Sequence, residues 1–457
     1  MTFSPCPPAY PDLLAARTAI RQGETTAGAL LEQAIAAAAA PACRHAFVAT
    51  DFPAARAAAA AARADAPLAG LAVSVKDLFD VAGQTTRAGS RLLAHAPPAP
   101  ADCPAVQRLR AAGAAILGRT HMVEFAFAGV GTNPHDTTPP NVADGVVDRI
   151  PGGSSSGAGV SVAAGAAWIG LGTDTGGSIR IPAALQGLVG FKNTARRTPT
   201  AGVLPLAPTL DTVCAMTRSV RDAVVAHEVL AARPVTRTSA PLSAWRLAAV
   251  HTLMLDGMDP AVGRAWERSL QALRRAGARI DDIALPELTE LAPMQAGGSI
   301  AAAEAYAWHR EFLAHRMAEY DPRVASRMLR GAEMGAADYI ALLQARADWA
   351  QRMGQRLADF DAVLSPTVPV VAPPMAPILV DDALYFQTNA LLLRNPSVVN
   401  MLDGCAISIP CHANGELPVG LMLWHGALRD DAILNIALRA EQAMQENRGM
   451  STTRMGP

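Results

Sequence analysis

Lysine is nearly absent from this sequence, and its scarcity singles out two positions. Of the 39 basic residues in the 457-residue chain, only Lys76 and Lys192 are lysines, so 37 are arginines. An arginine side chain stays protonated in proteins, whereas a buried lysine can lose its proton. A position that keeps lysine in such a chain is therefore a candidate for proton transfer. Lys76 follows the apolar run LAVSV and precedes LFDVAG, which favours a buried amine.

Paired cysteines are also lacking. The six cysteines are scattered along the chain, without a C-x-x-C pair and without a histidine at the spacing of zinc ligands. This pattern argues against a disulfide framework and against a zinc site. We expect reduced, buried thiols and no metal.

Neither sign of charge dominates the chain. Charged residues make up 17% of it and the formal net charge is −1. Such a balance gives no basic patch for a nucleic acid and no polybasic segment for an anionic membrane. The expected partner is a small molecule.

A long run of large apolar residues is missing as well. Residues 150–173 carry no charge, but glycine and serine stand where a membrane-spanning helix prefers Leu, Ile and Val. We predict buried loop and helix in this segment. The N-terminal MTFSPCPPAYP has neither the basic nor the apolar region of a signal peptide, so a cytoplasmic location is expected.

Helical and strand-like patterns alternate along the chain. Alanine-rich helices are predicted at 30–40 and 54–64, and LAVSV reads as a strand. A later helix is predicted to begin after a capping Asp259, with Pro260 in its first turn, and to stop at Gly277. Alternation of this kind predicts the α/β class.

Two glycine-serine clusters carry the strongest chemical signal. PGGSSSGAG (151–159) and GTDTGGSIRIP (172–182) lack the spacing of phosphate-binding loops. In the second cluster, Gly176 and Gly177 have no Cβ, so successive peptide N–H groups can converge on one point, with the Ser178 hydroxyl beside it. Such a loop favours an oxyanion hole next to a nucleophile.

A serine nucleophile needs a base, and none of the ten histidines lies in a catalytic context; His227, for example, reads as a packed ring. A neutral lysine can serve instead. Its pKa must fall from about 10.4 to about 7 or 8, which corresponds to about 4 kcal/mol of desolvation. Lys76 is the predicted base.

Ordered motifs fill the chain between about residues 65 and 225: LAVSVKDLFDVAGQTTRAGS, MVEFAFAGVGTNPHD, PGGSSSGAGVSVAAG, GTDTGGSIRIPAALQGLVGFKNT and GVLPLAPTLDTV. Weaker matches follow in LSPTVPVVAPP, CAISIPC and LPVGLMLWH. Together they resemble the amidase signature family of serine hydrolases. The resemblance implies an α/β fold with a single large mixed β-sheet covered by helices on both faces.

The resemblance also implies one domain spanning 1–457. Its parts would be a helical lead-in (1–65), the signature catalytic core (66–225), a variable helical cover over the active site (226–360), and C-terminal strands with a closing helix (361–457).

Carried over to this chain, the family's Ser-cisSer-Lys triad falls on Lys76, Ser154 and Ser178. By this resemblance, neutral Lys76 draws a proton through Ser154 while Ser178 attacks a carbonyl carbon, and water then clears the acyl-enzyme. No cofactor is implied. The oxyanion hole would use the N–H groups of Thr175, Gly176, Gly177 and Ser178. Supporting hydrogen bonds would come from Ser155 and Asp174, whereas Arg180 and Lys192 look structural.

The segment after Lys76's motif matches the part of the family that lines the substrate pocket. The residues concerned are Met122, Phe125, Phe127, Gly129 and Thr132. They favour a small apolar or aryl substrate. The chain has NPHDTTPPN where relatives often show Asn-Pro-x-Tyr-Gly, and spacing leaves an amide, an anilide and a carbamate equally open.

Two other readings stay open. Residues 153–157 also satisfy G-x-S-x-G, the nucleophile elbow of α/β-hydrolases, which would make Ser155 the nucleophile. The elbow must follow a strand, and Ile150, Pro151 and Gly152 precede it instead. The family also includes the amidase subunit of a tRNA-dependent amidotransferase, which takes ammonia from glutamine. The resemblance is compatible with a homodimer too.

Overall fold

The computed structural model describes residues 10–453 and the side chains of residues 10–446. It contains one mixed sheet of eleven strands. Its strands are β1 (Phe47–Thr50), β2 (Ala72–Lys76), β3 (Ala115–Thr120), β4 (Ile169–Thr173), β5 (Val189–Lys192), β6 (Val213–Thr217), β7 (Arg246–Val250), β8 (Arg279–Ile283), β9 (Ala362–Pro366), β10 (Cys405–Pro410) and β11 (Gly420–His425). The spatial order is β1-β3-β2-β4-β6-β5-β10-β11-β9-β7-β8.

The helices of the described residues are α1 (Leu13–Gln22), α2 (Ala27–Ala39), α3 (Phe52–Ala61), α4 (Pro104–Ala111), α5 (Ser156–Ala163), α6 (Arg180–Gln186), α7 (Val220–Ala231), α8 (Pro260–Arg275), α9 (Leu291–Met294), α10 (Ile300–Arg316), α11 (Pro322–Leu329), α12 (Ala336–Arg356), α13 (Met375–Val380), α14 (Asp382–Met401) and α15 (Asp430–Thr453). None of the helices in this part of the chain has the length and apolar character needed to cross a membrane.

Side chains of successive strand residues enter two separate cores, one on each face of the sheet. On β11, Leu421 and Leu423 pack into the core that holds Trp266 of α8 and residues of α7 and α15. The alternate residues Met422 and Trp424 pack into the other core, which holds residues of α11, α12 and α14. This period of two follows from the pleat of a strand. The predicted α/β fold, with helices on both faces, is therefore confirmed.

Parallel pairing places the carboxyl ends of β2 and β4 on the same side of the sheet. β2 pairs in parallel with both β3 and β4, whereas β4 pairs with β6 antiparallel. The carboxyl ends of adjacent parallel strands meet at one edge of a sheet, where loops build binding sites. Lys76 ends β2 and Thr173 ends β4, so the motifs that follow these strands converge.

Local predictions hold with two refinements. The uncharged segment at 150–173 forms buried loop and α5, as predicted, and its end forms the buried strand β4. Asp259 precedes α8, but its carboxylate does not cap the helix. It accepts instead from the N–H of Val371 at 2.9 Å, because the chain after β9 passes over this helix start.

In the described part of the chain, the cysteines agree with the prediction of buried thiols. Cys43, Cys103, Cys214 and Cys405 are buried free thiols, and Cys411 is buried as well. The sixth, Cys6, lies outside the described residues.

The contact between α5 and the end of β3 leaves no room for a side chain at Gly157. A Cβ there would lie 2.2 Å from the Ala46 carbonyl oxygen and 2.7 Å from the His121 nitrogen, and both are backbone atoms. We expect Gly157→Ala to lower the free energy of unfolding by about 1–3 kcal/mol through overpacking. Urea unfolding followed by circular dichroism measures this.

Gly159 of the same helix supplies the control. The atom nearest to its added Cβ is Pro182 Cβ at 3.3 Å, a side-chain atom. Since alanine is favoured over glycine in a helix by about 1 kcal/mol, Gly159→Ala should be neutral or stabilising. Equal unfolding midpoints for the two variants would contradict the close approach at Gly157.

Candidate active site

Lys76 ends β2 with its side chain completely buried. Its Nζ lies 2.8 Å from Ser154 Oγ and 2.8 Å from Thr173 Oγ1. Both partners are neutral hydroxyl groups. Burial lowers the pKa of Lys76 from 10.5 to about 7, although the charges of Asp211 and Asp174 act to raise it. The amine is thus poised to exist in its neutral form near neutral pH, as the sequence predicts.

Ser154 lies in the loop before α5, and the Gly153–Ser154 peptide bond is cis. Two backbone hydrogen bonds hold this loop: the Gly153 N–H donates to the Gly129 carbonyl at 2.8 Å, and the Ser154 carbonyl accepts from the Val123 N–H at 3.1 Å. A Cβ on Gly153 would lie 2.7 Å from Gly131 Cα, so glycine is required for this approach. The loop thereby presents the Ser154 hydroxyl to Lys76.

Ser178 lies in the turn between β4 and α6, and this turn is built around Asp174. The Asp174 carboxylate is buried and accepts from the Gly177 N–H at 2.9 Å and from Arg180 Nη2 at 2.8 Å. Asn400 Nδ2 donates to the same carboxylate at 3.0 Å. Burial acts to raise the pKa of Asp174, but Arg180, Lys192 and Asn400 together lower it to about 2. The loop that carries Ser178 is therefore fixed by a permanent charge pair.

The four N–H groups predicted for an oxyanion hole are not equivalent. The Gly177 N–H is already donated to Asp174. Those of Thr175, Gly176 and Ser178 have no hydrogen-bond partner among the residues that the structure describes. Thr175 is held by its own hydroxyl, which donates to Asp211 Oδ1 at 2.5 Å. The geometry thus favours three donors, and Gly177 is better explained as part of the loop's scaffold.

Ser155 belongs to the first glycine-serine cluster and is hydrogen-bonded to the second. Its N–H donates to the Ser178 carbonyl at 3.3 Å, and its hydroxyl donates to the Thr173 carbonyl at 3.4 Å. The side chain is completely buried, and a Cβ on Gly172 would lie 2.6 Å from its Oγ. No described strand leads into this serine. A nucleophile elbow needs a preceding strand and an exposed hydroxyl, so the arrangement disfavours that alternative.

A cavity of about 200 Å³ opens beside Ser178. Its walls are mostly apolar, and the lining residues include Phe127, Leu206, Leu210, Leu393 and Met401. This volume is below the roughly 300–1,000 Å³ typical of drug-sized ligands, so it fits a small substrate. Within residues 10–453, no group of three or more His, Cys, Asp or Glu side chains is placed to hold a metal ion.

Of the five residues predicted to contact substrate, Phe127 lines this cavity. Phe125 is instead packed edge-on against His309, with ring centroids 4.3 Å apart. The Gly129 N–H donates to Asn389 Oδ1 at 2.7 Å. Met122 and Thr132 are buried outside the described wall of the cavity. For these four residues, direct contact with a substrate remains a prediction.

Sequence reasoning missed several residues that the fold brings to the site. Thr173 belongs to the glycine-serine cluster at 172–182. Its place at the end of a strand next to the strand of Lys76 could have indicated its contact with the amine. Asn400 and Arg327 come from α14 and α11, and no local pattern marks them. The prediction that Arg180 and Lys192 have structural roles agrees with their contacts, since Lys192 Nζ donates to the Gly404 carbonyl at 2.7 Å.

Comparison with known proteins identifies the family of the chain. The Amidase family profile matches residues 29–434. The 2-amino-5-chloromuconic acid deaminase of Comamonas testosteroni is 36% identical over 388 residues, which cover 82% of each chain. A glutamyl-tRNA(Gln) amidotransferase subunit from Salinispora tropica is 31% identical over 420 residues, covering 83% of this chain and 84% of that one.

A solved structure extends the agreement to the fold. The crystal structure of an amidase superposes with a TM-score of 0.84 and 32% sequence identity, covering 94% of this chain and 99% of the other. With the family profile matched over most of its length, the chain belongs to the Amidase family and is a hydrolase of C–N bonds.

Proposed function

We propose that this protein hydrolyses the C–N bond beside a carbonyl in a small amide, anilide or carbamate, through an acyl-enzyme on Ser178. One observation carries the proposal: a buried amine with a pKa of about 7 lies 2.8 Å from the Ser154 hydroxyl. An amine of this kind accepts a proton near neutral pH, and a hydroxyl between base and nucleophile can relay it.

The reaction then proceeds in balanced steps. Ser154 passes its hydroxyl proton to the neutral Lys76 amine and takes the proton of Ser178, whose Oγ bonds to the carbonyl carbon. As the tetrahedral intermediate collapses, the C–N bond breaks and the leaving nitrogen receives a proton from Ser154, which Lys76 replenishes. Water attacks the resulting ester by the same relay, releasing the acid and restoring Ser178.

The N–H groups of Thr175, Gly176 and Ser178 would hold the developing oxyanion. Their directions are fixed before substrate arrives, because the buried Asp174–Arg180 pair orders the loop. Each well-placed donor of this type typically contributes about 3 kcal/mol to lowering the barrier.

The relative from Comamonas testosteroni broadens the range of substrates to test. Its name describes the removal of an amino group from a muconic acid. Substrates whose nitrogen leaves as ammonia therefore belong in the panel beside p-nitroanilides and aryl carbamates. We also keep from the sequence the expectation of a cytoplasmic enzyme, compatible with a homodimer, that acts without a cofactor, nucleic acid or membrane.

A second candidate function is that of the amidase subunit in a tRNA-dependent amidotransferase. Relatives of this kind, such as the Salinispora tropica protein, match most of the chain at 31% identity. The net charge of −1 does not favour direct contact with RNA. Release of ammonia from glutamine, together with co-purification of a partner subunit, would support this function over the first.

Ser178→Ala should abolish turnover because it removes the hydroxyl that forms the acyl-enzyme in the proposed reaction. We expect a loss of about 10⁴- to 10⁶-fold in kcat, by analogy with other serine hydrolases. Mass spectrometry of the wild-type protein quenched during turnover should locate the acyl group on Ser178.

Ser155→Ala is the matched control for this assignment. It removes one hydroxyl from the adjacent loop, yet it should still form the Ser178 adduct. Loss of the adduct in Ser155→Ala, with acylation retained in Ser178→Ala, would transfer the nucleophile to Ser155 and establish the elbow mechanism instead.

The pH profile tests the role of Lys76. Because burial lowers its pKa from 10.5 to about 7, the amine is neutral above about pH 7 and charged below it. With an uncharged amide substrate, kcat/KM should fall about tenfold per pH unit below pH 7 and level off above it.

Lys76→Arg completes this test. A guanidinium keeps its proton at every accessible pH, so this variant should be inactive throughout the range. A flat wild-type profile between pH 5 and pH 9, or an active Lys76→Arg protein that is correctly folded by circular dichroism, would exclude Lys76 as the base.

A further inference from the structure

Asp211 lies in the loop that leads into β6, and its carboxylate holds together two segments of the cavity wall. Its Oδ1 atom accepts from the Thr175 hydroxyl at 2.5 Å. Its Oδ2 atom accepts from the N–H groups of Leu206 at 3.0 Å and of Ala207 at 3.1 Å. All three partners can donate, so an ionised carboxylate satisfies each of them. Thr175 and Leu206 both line the cavity beside Ser178.

The negative charge of Asp211 has no contacting counter-ion in the described part of the chain. No arginine or lysine there forms an ion pair with it, and its partners are a hydroxyl and two backbone N–H groups. Burial raises the pKa of Asp211, whereas these hydrogen bonds and the charge of Lys76 act to lower it. Lys76 therefore acts on Asp211 at a distance, since its own hydrogen bonds go to other residues.

The pairing of β4 with β6 explains why Asp211 and Lys76 lie near each other. Lys76 Nζ is 2.8 Å from Thr173 Oγ1 at the end of β4. Thr173 pairs with Val213, the first residue of β6, in an antiparallel ladder. Asp211 precedes Val213 by two residues. Its carboxylate thus lies at the edge of the sheet where β2 and β4 end.

Three ionisable groups act on the charge of Lys76: Asp211 most strongly, then Cys214 and Asp174. Burial raises the pKa of the Cys214 thiol well above its ordinary value, so the thiol is neutral. The charge of Asp174 is offset by direct contact with Arg180 at 2.8 Å. Asp211 is therefore the carboxylate whose charge is left to act on the amine.

We propose that Asp211 is a positioning residue that acts through Lys76 and Thr175. Its charge stabilises the protonated amine that forms when Ser178 attacks, and its hydrogen bond directs the Thr175 N–H toward the oxyanion. This role rests on the proposed hydrolysis and adds a residue to it. A carboxylate in contact with the amine would keep it protonated, whereas a carboxylate at a distance stabilises the charge only in part.

Asp211→Asn removes the charge and can keep the hydrogen bonds. The amide oxygen can accept from the Leu206 and Ala207 N–H groups, while the amide nitrogen donates to the Thr175 hydroxyl. The midpoint of the acid limb of kcat/KM should move to lower pH by about 0.5 to 1 unit, less than for a contacting pair. The plateau above it should fall several-fold, because a weaker base accepts the proton less readily.

Glu304→Gln is the matched control for this variant. Glu304 of α10 anchors the same loop by accepting from the Thr209 N–H at 3.0 Å, but it is not among the charges that act on Lys76. The substitution also removes one carboxylate charge, and it should leave the midpoint unchanged. Equal shifts in Glu304→Gln and Asp211→Asn would mean that loosening the loop moves the profile, which would overturn the proposal.

Thr175→Val removes the hydroxyl that Asp211 holds, while the charge of Asp211 stays. Loss of a whole oxyanion donor costs about 10²- to 10³-fold in kcat, so a misdirected donor should cost about 10-fold. The midpoint of the acid limb should stay close to that of the wild type. Thr175→Ser keeps the hydroxyl and should restore most of kcat. An unchanged kcat in a folded Thr175→Val protein would contradict the proposal.

The scarcity of lysine allows a test that needs no substrate. In protein labelled with carbon-13 at lysine Cε, NMR should show two lysine signals, from Lys76 and Lys192, and Lys76→Arg assigns them by removing one. The Lys76 signal should titrate near pH 7 in the wild type. Its midpoint should be lower in Asp211→Asn and unchanged in Glu304→Gln. An unmoved midpoint in a folded Asp211→Asn protein would overturn the proposal.

The two measurements separate the role of Asp211 from the proposed function. If amides are hydrolysed with the expected pH profile and Asp211→Asn leaves that profile unchanged, the proposed function stands and the role of Asp211 fails. If the Lys76 signal shifts in Asp211→Asn but no amide, anilide or carbamate is cleaved, the electrostatic link stands and the proposed function fails.

Discussion

The amine of Lys76 is buried at the end of a central strand, and both of its hydrogen-bond partners are neutral hydroxyl groups. Because no carboxylate touches it, desolvation prevails over the more distant charges of Asp211 and Asp174, and the pKa falls to about 7. An amine paired directly with a carboxylate would stay protonated and could not accept a proton. The chemistry proposed for Ser154 and Ser178 depends on this imbalance.

The opposite arrangement holds the loop that carries Ser178. Asp174 is buried like Lys76, but its carboxylate meets Arg180 directly and also accepts backbone N–H groups, so its charge is retained. The pKa of one buried ionisable group is thus shifted toward neutral pH, and the other group is kept charged. The difference lies in the partners rather than in the depth of burial, since Lys76 ends β2 and Asp174 directly follows β4 at the same edge of the sheet.

The cavity joins these two parts to the helices that cover the sheet. The turn between β4 and α6 supplies Ser178 and its neighbouring N–H groups, whereas α11 supplies Arg327 and α14 supplies Asn400. The cavity wall is therefore built from both the loops and the covering helices.

Much of the proposed site could be predicted from the sequence, because its residues lie in short motifs. A lone lysine after an apolar run, and serines beside adjacent glycines, predicted a buried base and a loop with free N–H groups. Alternating patterns predicted the α/β class. Sequence could not show that the Gly177 N–H is donated to Asp174, that Phe125 packs against His309, or that Arg327 lines the same cavity as Ser178. Some of these contacts join residues that are far apart in the chain, and others depend on the exact path of one turn. Only the packing of the helices and loops on the sheet fixes them.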